Sequence, residues 1–468
     1  MTTTYDVVIL GAGPGGYVAA IRAGQLGLKT AIVEKDDRLG GTCLLRGCIP
    51  TKSMLESAEI ADHARHAADF GVLVSAPEID LARVFKRKDK VVQQNAGGVA
   101  FLMKKNKVEV IKGFGRLLGG GRVEVEAADG AKTTLNARNT ILATGSVPRR
   151  LPGVPVDGQI ILTSDELLEL RDAMPKHLVV LGAGAVGVEF ASVYKSFGCE
   201  VTVVELLDRL VPVEDEEVSA EFEKVFKRRG IRTLTGTKLT GVERTDNGFS
   251  ARLEGKDGKA SGISGSHLLI AVGRAPVTDG IGLENTKVKV ERGYVHVDRH
   301  GRTDEPGVYA IGDIVINTPQ LAHAASHEGL VAVDHIAGKD PRPIDYDQVP
   351  GCTYSYPEIG SIGLTEAKAK ARGYDVKTGK FPFTAIGKAK VMNATYGFVK
   401  IVADTQYDQI LGVHIIGPRA TDLIAEAGAL LKLECTVEEL AHIIHAHPTL
   451  SEAVGEAAHL TLGHAIHL

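Results

Sequence analysis

Two stretches of the chain share one pattern of apolar and small residues. Each begins with a short apolar run, continues through a glycine-rich turn and a helical stretch, and ends with a second apolar run and a glutamate. The first occupies residues 6–34 and the second residues 177–205, at a constant offset of 171 positions. Short apolar runs without alternation predict strands buried on both faces of a parallel sheet. The pattern therefore predicts two α/β domains of the same kind.

The glycine turns have the spacing of a dinucleotide-binding fingerprint. In the first copy, Gly11 permits the tight turn, Gly13 lets the backbone approach a pyrophosphate, and Gly16 lets the helix pack close to the strand. The equivalent glycines of the second copy are Gly182, Gly184 and Gly187. Glu34 ends the first copy, where a carboxylate can accept hydrogen bonds from ribose hydroxyls. Two such sites in one chain indicate electron transfer between a flavin and a nicotinamide.

The glutamate that ends the second copy, Glu205, bears on the choice of nicotinamide. A carboxylate at the ribose would repel a 2′-phosphate. The next residues, Leu206, Leu207 and Asp208, supply no cation, and Arg209 is the only nearby base. The sequence therefore favours NAD over NADP.

Two further apolar runs end in residues that could reach a cofactor. Residues 141–145 form a predicted strand with a small-residue turn, and residues 307–313 form another that ends in Asp313. Asp313 is compatible with two roles, binding a ribitol hydroxyl of a flavin or capping a helix or turn. The motif alone does not separate them.

The pattern of apolar and polar residues changes after about Pro343. Residues 349–364 and 397–416 contain β-branched and aromatic runs with turn signals, which predict strands. Residues 421–433 and 437–444 have the pattern of helices. We therefore expect a third domain of α+β type.

Two cysteines, Cys43 and Cys48, lie five positions apart in the sequence GGTCLLRGCIPTK, which ends at Lys52. On an ideal helix this spacing separates the Cα atoms by about 8.6 Å, whereas a disulfide requires less than about 7 Å. If the two cysteines pair, the backbone between them must leave helical geometry, which Gly47 or Pro50 would allow. A redox-active pair and two buried thiols that never meet are both compatible with the spacing.

A histidine-rich segment near the end of the chain is a second candidate for chemistry. His445 and His447 precede Pro448, and Glu452 follows. One histidine could be a base oriented by the carboxylate, or both could bind a metal. Histidines without a chemical role are the third alternative.

Composition narrows the class of protein. The chain has 468 residues, enough for two to four domains, and a formal net charge of −4, which argues against nucleic acid or anionic membrane as the main partner. No apolar run is long enough to predict a transmembrane helix, and the first residues do not resemble a secretion signal. Five cysteines are too few for a disulfide scaffold, so a catalytic pair in the cytoplasm is expected.

The motifs in combination resemble the flavoprotein disulfide reductases, and among them most closely the dihydrolipoamide dehydrogenases. GGTCLLRGCIPTK, AIGD at residues 310–313 and HAHPTLSE near the C-terminus carry the resemblance, which extends over essentially the whole chain. It implies two Rossmann-like domains that bind FAD and NAD, and a C-terminal α+β dimerisation domain. The implied segments are an FAD-binding domain at 1–148, an NAD-binding domain at 149–275, a central segment completing the FAD site at 276–345, and the interface domain at 346–468.

The resemblance also implies a role for each matching residue. Cys43 would be the thiol that meets the substrate, Cys48 would lie against the flavin, and His447 would be the acid–base residue, oriented by Glu452. The residues implied to bind cofactor, with no metal site expected, are Gly11, Gly13, Gly16, Glu34, Gly40, Gly41, Lys52, Thr144, Gly145, Gly182, Gly184, Gly187, Glu189, Glu205, Gly273, Asp313 and Ala322. Among these, Lys52 and Glu189 would form an ion pair near the flavin.

The implied activity is oxidation of protein-bound dihydrolipoamide, with hydride passed to NAD⁺. The implied assembly is a homodimer whose active site combines both subunits, working on the lipoyl-bearing acyltransferase core of 2-oxoacid dehydrogenase complexes or in the glycine cleavage system. An NADH-dependent oxidase or disulfide reductase with another acceptor is the alternative. A non-catalytic assembly protein would need neither the cysteines nor His447 and Glu452.

A few positions depart from the common family pattern. Leu45-Arg46 replaces Asn-Val, Val277 replaces Asn after GRAP, and Ala324 stands where Lys is frequent. None removes a catalytic group, and Arg46 is expected to face solvent. The remaining cysteines, Cys199, Cys352 and Cys435, are expected to be structural.

Overall fold

A computed structural model describes residues 4–171 and 174–468 of the chain. The chain divides into two compact units, each assembled from three segments. The first unit comprises the residues up to Ser53 together with Ala82–Arg149 and Arg274–Tyr346. The second comprises Met54–Leu81, Arg150–Gly273 and Asp347–Leu468.

The strands follow one another in chain order. They are β1 Thr4–Leu10, β2 Thr30–Glu34, β3 Glu109–Lys112, β4 Phe114–Gly119, β5 Arg122–Glu126, β6 Lys132–Leu142, β7 Ser146–Pro148, β8 Ile161–Leu162, β9 His177–Leu181, β10 Glu200–Val204, β11 Arg232–Leu234, β12 Thr237–Thr245, β13 Gly248–Gly255, β14 Ala260–Gly265, β15 His267–Ile270, β16 Arg274–Pro276, β17 Val290–Glu291, β18 Tyr294–Val295, β19 Val308–Ala310, β20 Gly351–Thr353, β21 Glu358–Gly363, β22 Val376–Pro382, β23 Phe398–Asp404 and β24 Ile410–Gly417.

The α-helices occupy the stretches between them. They are α1 Pro14–Gln25, α2 Gly41–Arg46, α3 Cys48–Arg65, α4 Leu81–Lys105, α5 Ser164–Leu167, α6 Ala185–Ser196, α7 Glu216–Arg228, α8 Ala322–Ile336, α9 Glu366–Ala371, α10 Gly387–Val391, α11 Ala420–Lys432, α12 Val437–Ala441 and α13 Glu452–Thr461.

The main sheet of the first unit has the order β3-β2-β1-β6-β5-β4, with β19 also paired to β6. Strands β3, β2, β1, β6 and β19 run parallel, whereas β5 and β4 form an antiparallel extension. Residues 7–10 of β1 and 31–33 of β2 are apolar and buried, as expected where both faces of a sheet are covered. The chain adds β2 and β3 on one side of β1 and β6 on the other, so the carboxyl ends of β1 and β6 form the switch point where open α/β sheets bind ligands.

A second parallel sheet, of order β11-β10-β9-β15-β8, lies in the second unit. Its register repeats that of the first sheet. Leu10 pairs with Val33 in the first, and Leu181 pairs with Val204 in the second, again at the offset of 171. The predicted repetition of one dinucleotide-binding design is therefore present in strand register as well as in sequence.

The C-terminal part of the second unit is a mixed α+β structure, as predicted. Strands β20-β21-β24-β23-β22 form an antiparallel sheet, and α11 and α13 pack on it through a core of aliphatic and phenylalanine side chains. Helix α12 ends at Ala441, three residues before the predicted end. The amide of Ile443 bonds to the carbonyl of Leu440 in a tighter final turn, which stops the helix ahead of the histidine segment. The predicted fold class is confirmed.

A buried lysine, Lys400 on β23, holds a cluster of carboxylates within the second unit. Its side chain is 1% exposed, and its Nζ atom lies 2.7 Å from Glu366, 2.8 Å from Glu217 and 3.0 Å from Asp215. Asp215 is also the N-cap of α7. Burial alone would raise the pKa of Asp215, but the hydrogen bond from Lys400 holds it below its ordinary value. The cluster therefore joins α7 and α9 to the C-terminal sheet.

We expect Lys400→Met to lower the free energy of unfolding at pH 7 by about 3–5 kcal/mol, because it leaves the buried carboxylate of Asp215 without its cation. A carboxylate whose pKa is lowered in the folded protein adds stability at pH values above its ordinary pKa. This contribution is lost as the pH falls through the lowered pKa. The deficit of the variant should therefore shrink toward acidic pH. Denaturant unfolding across pH would test this, with Lys227→Met, at an exposed pair with Glu223, as a control expected to change little.

Candidate active site

The backbone between the two cysteines leaves helical geometry at Gly47. Helix α2 ends at Arg46, Gly47 has φ −143° and ψ −110°, and α3 begins at Cys48. The cysteine spacing required the backbone to leave helical geometry if the two cysteines pair, and it does so at Gly47. Pro50 does not contribute to the break, because it lies in the first turn of α3, where a proline is tolerated.

The interruption brings the two thiols together. The thiols of Cys43 and Cys48 are hydrogen bonded, and this bond together with burial raises the pKa of Cys43 well above its usual range, while the charge of Lys52 acts in the opposite direction. Two sulfurs in contact titrate as a pair, so that one thiolate per pair is favoured over two. The alternative of two thiols that never meet is excluded.

The carboxyl ends of β1, β2, β6 and β19 bring several predicted FAD residues to one edge of the first sheet. The turn from Gly11 follows β1, Glu34 ends β2, Thr144 follows β6, and Asp313 lies in the short 3₁₀ turn Gly312–Ile314 after β19. Asp313 accepts a hydrogen bond from the hydroxyl of Ser146. Ligands of open α/β sheets bind at this edge.

The shape of this edge fits a bound dinucleotide. A Cβ atom on Gly16 would lie 1.9 Å from the carbonyl oxygen of Gly11, and one on Gly41 would lie 2.6 Å from the Cα atom of Gly13. Side chains are therefore excluded where the N-termini of α1 and α2 face each other. The N–H groups at the start of α1 are available to a pyrophosphate. The residues present fit FAD, which these backbone groups and Asp313 would hold.

The two glutamates occupy equivalent positions in their domains. Glu34 accepts the amide of Ala12 at 2.8 Å and that of Asp36 at 2.9 Å. Glu205 accepts the amides of Ala183 at 2.6 Å and Leu207 at 2.8 Å, and these donors occur at the same offset of 171. Each carboxylate is fixed by one amide of its glycine turn and by the amide two residues after itself, and its remaining lone pairs could accept ribose hydroxyls.

The base nearest Glu205 is engaged elsewhere. Arg209 lies 3.2 Å from Glu216 and donates to the carbonyl of Pro212 at 2.9 Å. Leu206 and Leu207 are exposed and apolar. Arg209 is thus held by Glu216 and Pro212, which agrees with the preference for NAD.

The side chain of Arg46 is 39% exposed, and it also forms an ion pair with Asp36 that the sequence did not reveal. The amide of Asp36 also donates to Glu34. Helix α2, which carries Cys43, is thereby joined to the loop after β2. Nothing in the spacing of Arg46 and Asp36 indicated this contact.

The departure at Val277 is accommodated because the contacts there come from its backbone. Its amide donates to the carbonyl of Gly145 at 2.9 Å, and its carbonyl accepts the hydroxyl of Thr144 at 2.5 Å. A change of side chain leaves both bonds in place.

Ala322 is the first residue of α8, and Ala324 is buried in the same helix.

The histidine segment separates into two pairs with different surroundings. His447 Nδ1 lies 2.8 Å from Glu452 Oε1, while Glu452 Oε2 accepts the amide of Thr449 at 2.8 Å. Burial would raise the pKa of Glu452, but these hydrogen bonds hold it below its ordinary value. The side chain of His447 is 78% exposed. The structure therefore presents one imidazole at the surface, oriented by a carboxylate.

His445 is the member of the segment whose surroundings the sequence did not reveal. Its Nε2 atom lies 2.8 Å from Glu426, on α11, and its side chain is 10% exposed. The hydrogen bond with Glu426 raises its pKa. Within residues 4–171 and 174–468, no group of three or more histidine, cysteine or acidic side chains could hold a metal ion. The metal alternative therefore has no support here.

Glu189 and Lys52 belong to different compact units. Glu189 lies in α6, is 4% exposed and accepts the amide of Tyr354 at 3.0 Å. Lys52 lies in α3, four residues after Cys48 and hence on about the same helical face. The ion pair between them stays a prediction.

Comparison with known proteins identifies the family. Residues 5–329 match the profile described as Pyridine nucleotide-disulphide oxidoreductase, and residues 349–458 match the dimerisation domain of that group. The chain belongs to the pyridine nucleotide-disulphide oxidoreductase family. It is 50% identical over 477 residues to dihydrolipoyl dehydrogenase of Bacillus subtilis and 45% identical over 468 residues to that of Zymomonas mobilis, with 100% of each chain covered. The structure of LpdA from Mycobacterium tuberculosis matches with a TM-score of 0.90 at 32% identity, covering 98% of this chain and 99% of that one.

These matches confirm several predictions made from the sequence. They confirm the prediction of a dihydrolipoyl dehydrogenase, an oxidoreductase that depends on FAD and uses NAD. The dimerisation-domain match supports the predicted homodimer. In the part of the chain that the structure describes, no helix combines the length and apolar character needed to cross a membrane.

Proposed function

We propose that the enzyme oxidises dihydrolipoyl groups on a carrier protein, with the Cys43–Cys48 pair as the group that exchanges disulfide bonds with the substrate. The observation that carries this proposal is the helix break at Gly47, which places the two thiols in hydrogen-bond contact. A pair held in this way can form a disulfide and reopen it on each turnover. Two cysteines in a regular helix at this spacing could not.

The first half of the reaction would be thiol–disulfide exchange. His447, oriented by Glu452, accepts a proton from one substrate thiol, because the thiolate and not the thiol is the nucleophile. The thiolate attacks Cys43, the S–S bond to Cys48 breaks, and Cys48 leaves as a thiolate. The second substrate thiol then attacks the substrate sulfur of the mixed disulfide, and its proton passes to the departing Cys43 sulfur. The lipoyl ring closes, Cys43 is released as a thiol, Cys48 stays a thiolate, and His447 keeps the first proton.

The remaining half of the reaction transfers two electrons from the dithiol to NAD⁺, and FAD supplies that chemistry when bound. The residues proposed to hold the two dinucleotides are the cofactor-binding positions inferred from the sequence. Gly40, Gly41, Thr144, Gly145 and Ala322 would contact FAD, while Gly273, at the end of the 150–273 segment, would contact NAD. Lys52 and Glu189 are proposed to pair beside the reacting rings.

The active site is proposed to combine two subunits. His447 is exposed on its own chain and lies within the segment that matches the dimerisation domain. An exposed imidazole can serve Cys43 of a second copy when that domain assembles. We propose residues 1–148 and 276–345 as the FAD-binding part, 149–275 as the NAD-binding part and 346–468 as the interface domain.

The carrier is proposed to be the lipoyl-bearing acyltransferase core of 2-oxoacid dehydrogenase complexes, or the lipoyl protein of the glycine cleavage system. The relatives named dihydrolipoyl dehydrogenase support this class of substrate. The redox-active dithiol and the small number of cysteines favour the cytoplasm.

A steady-state comparison of substrates tests the proposal. We expect the purified dimer to reduce NAD⁺ with dihydrolipoamide and to be at least a hundredfold less active, in kcat/KM, with glutathione disulfide and NADPH, since Glu205 disfavours a 2′-phosphate. Equal use of both substrate pairs would contradict it. Rapid NADH oxidation by oxygen, without dihydrolipoamide activity, would instead support the oxidase alternative.

A further inference from the structure

A buried arginine, Arg229, is the centre of a hydrogen-bond network in the second unit that is separate from the thiols and from His447. It follows α7, and its side chain is 12% exposed. One terminal nitrogen donates to Ser192 Oγ and to the carbonyl of Tyr356, both at 2.8 Å, and the other donates to Ser196 Oγ at 2.8 Å. The guanidinium also lies over the ring of Tyr356, 4.9 Å from its centroid.

The same network contains Glu189. Ser192 and Ser196 lie three and seven residues after it in α6, so the three side chains share one face of the helix. Residues 354–356 run along that face. The amide of Tyr354 donates to Glu189 Oε1 at 3.0 Å, and the amide of Tyr356 donates to Ser192 Oγ at 2.9 Å. The 354–356 segment is thus fixed to α6 at two points.

Arg229 reinforces the second of these two points, where Tyr356 meets Ser192. It donates to the serine that holds the amide of Tyr356, and it also holds the carbonyl of the same residue. Asp62 accepts the hydroxyl of Ser196 at 2.5 Å and lies 3.5 Å from the guanidinium, so the charge is balanced. Loss of Arg229 would remove the tie between α6 and the carbonyl of Tyr356. The amide of Tyr354, two residues earlier, would then be free to move away from Glu189.

We propose that Arg229 is a positioning residue for Glu189, acting through the 354–356 segment to fix the direction of the Glu189 carboxylate. The inference rests on the proposed role of Glu189 beside the nicotinamide. One carboxylate oxygen accepts the amide of Tyr354, and this bond fixes the direction in which the carboxylate faces. A carboxylate free to rotate would lose part of that orientation, and only the NAD-dependent half of the reaction would be affected.

The test measures the two half-reactions separately in the FAD-loaded dimer. In stopped-flow experiments, Arg229→Met should slow reduction of the oxidised enzyme by NADH about tenfold, which corresponds to the loss of one hydrogen bond to a charged group. Reduction by dihydrolipoamide should stay within about twofold of wild type. Arg229→Lys keeps the charge but cannot bridge both serines and a carbonyl, so we expect an intermediate rate with NADH. Arg372→Met, at an exposed pair with Asp347, is the matched arginine control.

A double-mutant cycle with Glu189→Gln separates the positioning role of Arg229 from the proposed role of Glu189 itself. If Arg229 acts through Glu189, Arg229→Met should have little further effect in the Glu189→Gln background. Equal slowing of both half-reactions by Arg229→Met or Arg229→Lys, or a full additional loss in the double variant, would overturn the positioning role. If Glu189→Gln leaves the NADH reaction unchanged, the proposed role of Glu189 is wrong and the inference is rejected with it. Ser196→Ala removes one bond of the network and should give a smaller loss in the same direction, which supplies a test if Arg229→Met does not fold.

Discussion

Cys48→Ser is expected to lower dihydrolipoamide oxidation by at least about a thousandfold, as removal of a reacting nucleophile does in enzymes whose catalytic groups act as a unit. A serine hydroxyl cannot form the disulfide with Cys43, so the exchange has no bond to open. Oxidation of NADH by an artificial acceptor should remain within a few-fold of wild type, because that reaction does not require the dithiol. Parallel steady-state assays of the two reactions measure the difference.

Absorbance spectroscopy gives the same variant a second readout. When dihydrolipoamide is added anaerobically to the wild type, we expect the long-wavelength band of a thiolate that lies against oxidised flavin. Cys48→Ser should lack this band and Cys43→Ser should retain it, since Cys48 is the sulfur proposed to face the flavin. Retention of the band in Cys48→Ser would exclude the assigned order of the two cysteines. Cys199→Ser, at a buried thiol whose pKa burial raises to about 12, is the control that should leave both reactions unchanged.

The features that could be predicted from the sequence are those that a local pattern determines. The two glycine turns and their glutamates are short motifs whose geometry follows from backbone sterics. The offset between them therefore reappears in strand register and in the bonds to Ala12 and Ala183. The cysteine spacing likewise predicted a break in the helix for the case that the two cysteines pair, because the geometry of a disulfide is fixed.

Contacts between distant positions could not be predicted in this way. The ion pair of Arg46 was not predicted because its partner, Asp36, belongs to another element, and one sequence contains no signal for such a pair. The sequence did not distinguish His445 from His447 as the candidate base. In the structure, the carboxylate of Glu426 on α11 forms an ion pair with His445. Arg229 and Tyr356 are separated by 127 positions. Each of these contacts depends on packing between elements, which patterns of local spacing do not encode.

The internal repeat also shows how one design serves two cofactors. The carboxylate and its two backbone donors are equivalent in the two domains, but the neighbouring positions differ. Asp36, two residues after Glu34, pairs with Arg46 of the helix that contains Cys43, whereas Leu207, two residues after Glu205, is exposed. The nucleotide loop of the first domain is thus joined to the helix of Cys43. The second domain has an exposed apolar side chain at the equivalent position.

His447→Ala is expected to lower dihydrolipoamide oxidation by about 10²–10⁴-fold, the range typical of a lost general base, with NADH oxidation by an artificial acceptor largely retained. Parallel steady-state assays of the two reactions measure the difference, and an equal loss of both activities would contradict the acid–base role.

Glu452→Gln should give a smaller loss, on the order of 10- to 100-fold, because one hydrogen bond to a charged group is weakened while the imidazole remains. His296→Ala removes another exposed histidine, which lies 3.2 Å from Glu291, and should leave both reactions unchanged.

The proposal that the site combines two subunits can be tested by mixing inactive His447→Ala and Cys43→Ser subunits. If His447 of the partner subunit serves Cys43, the mixed dimer contains one complete site and should recover activity, up to about half that of wild type. Mixed dimers that form but stay inactive would show that each site uses the histidine and the cysteine of the same chain.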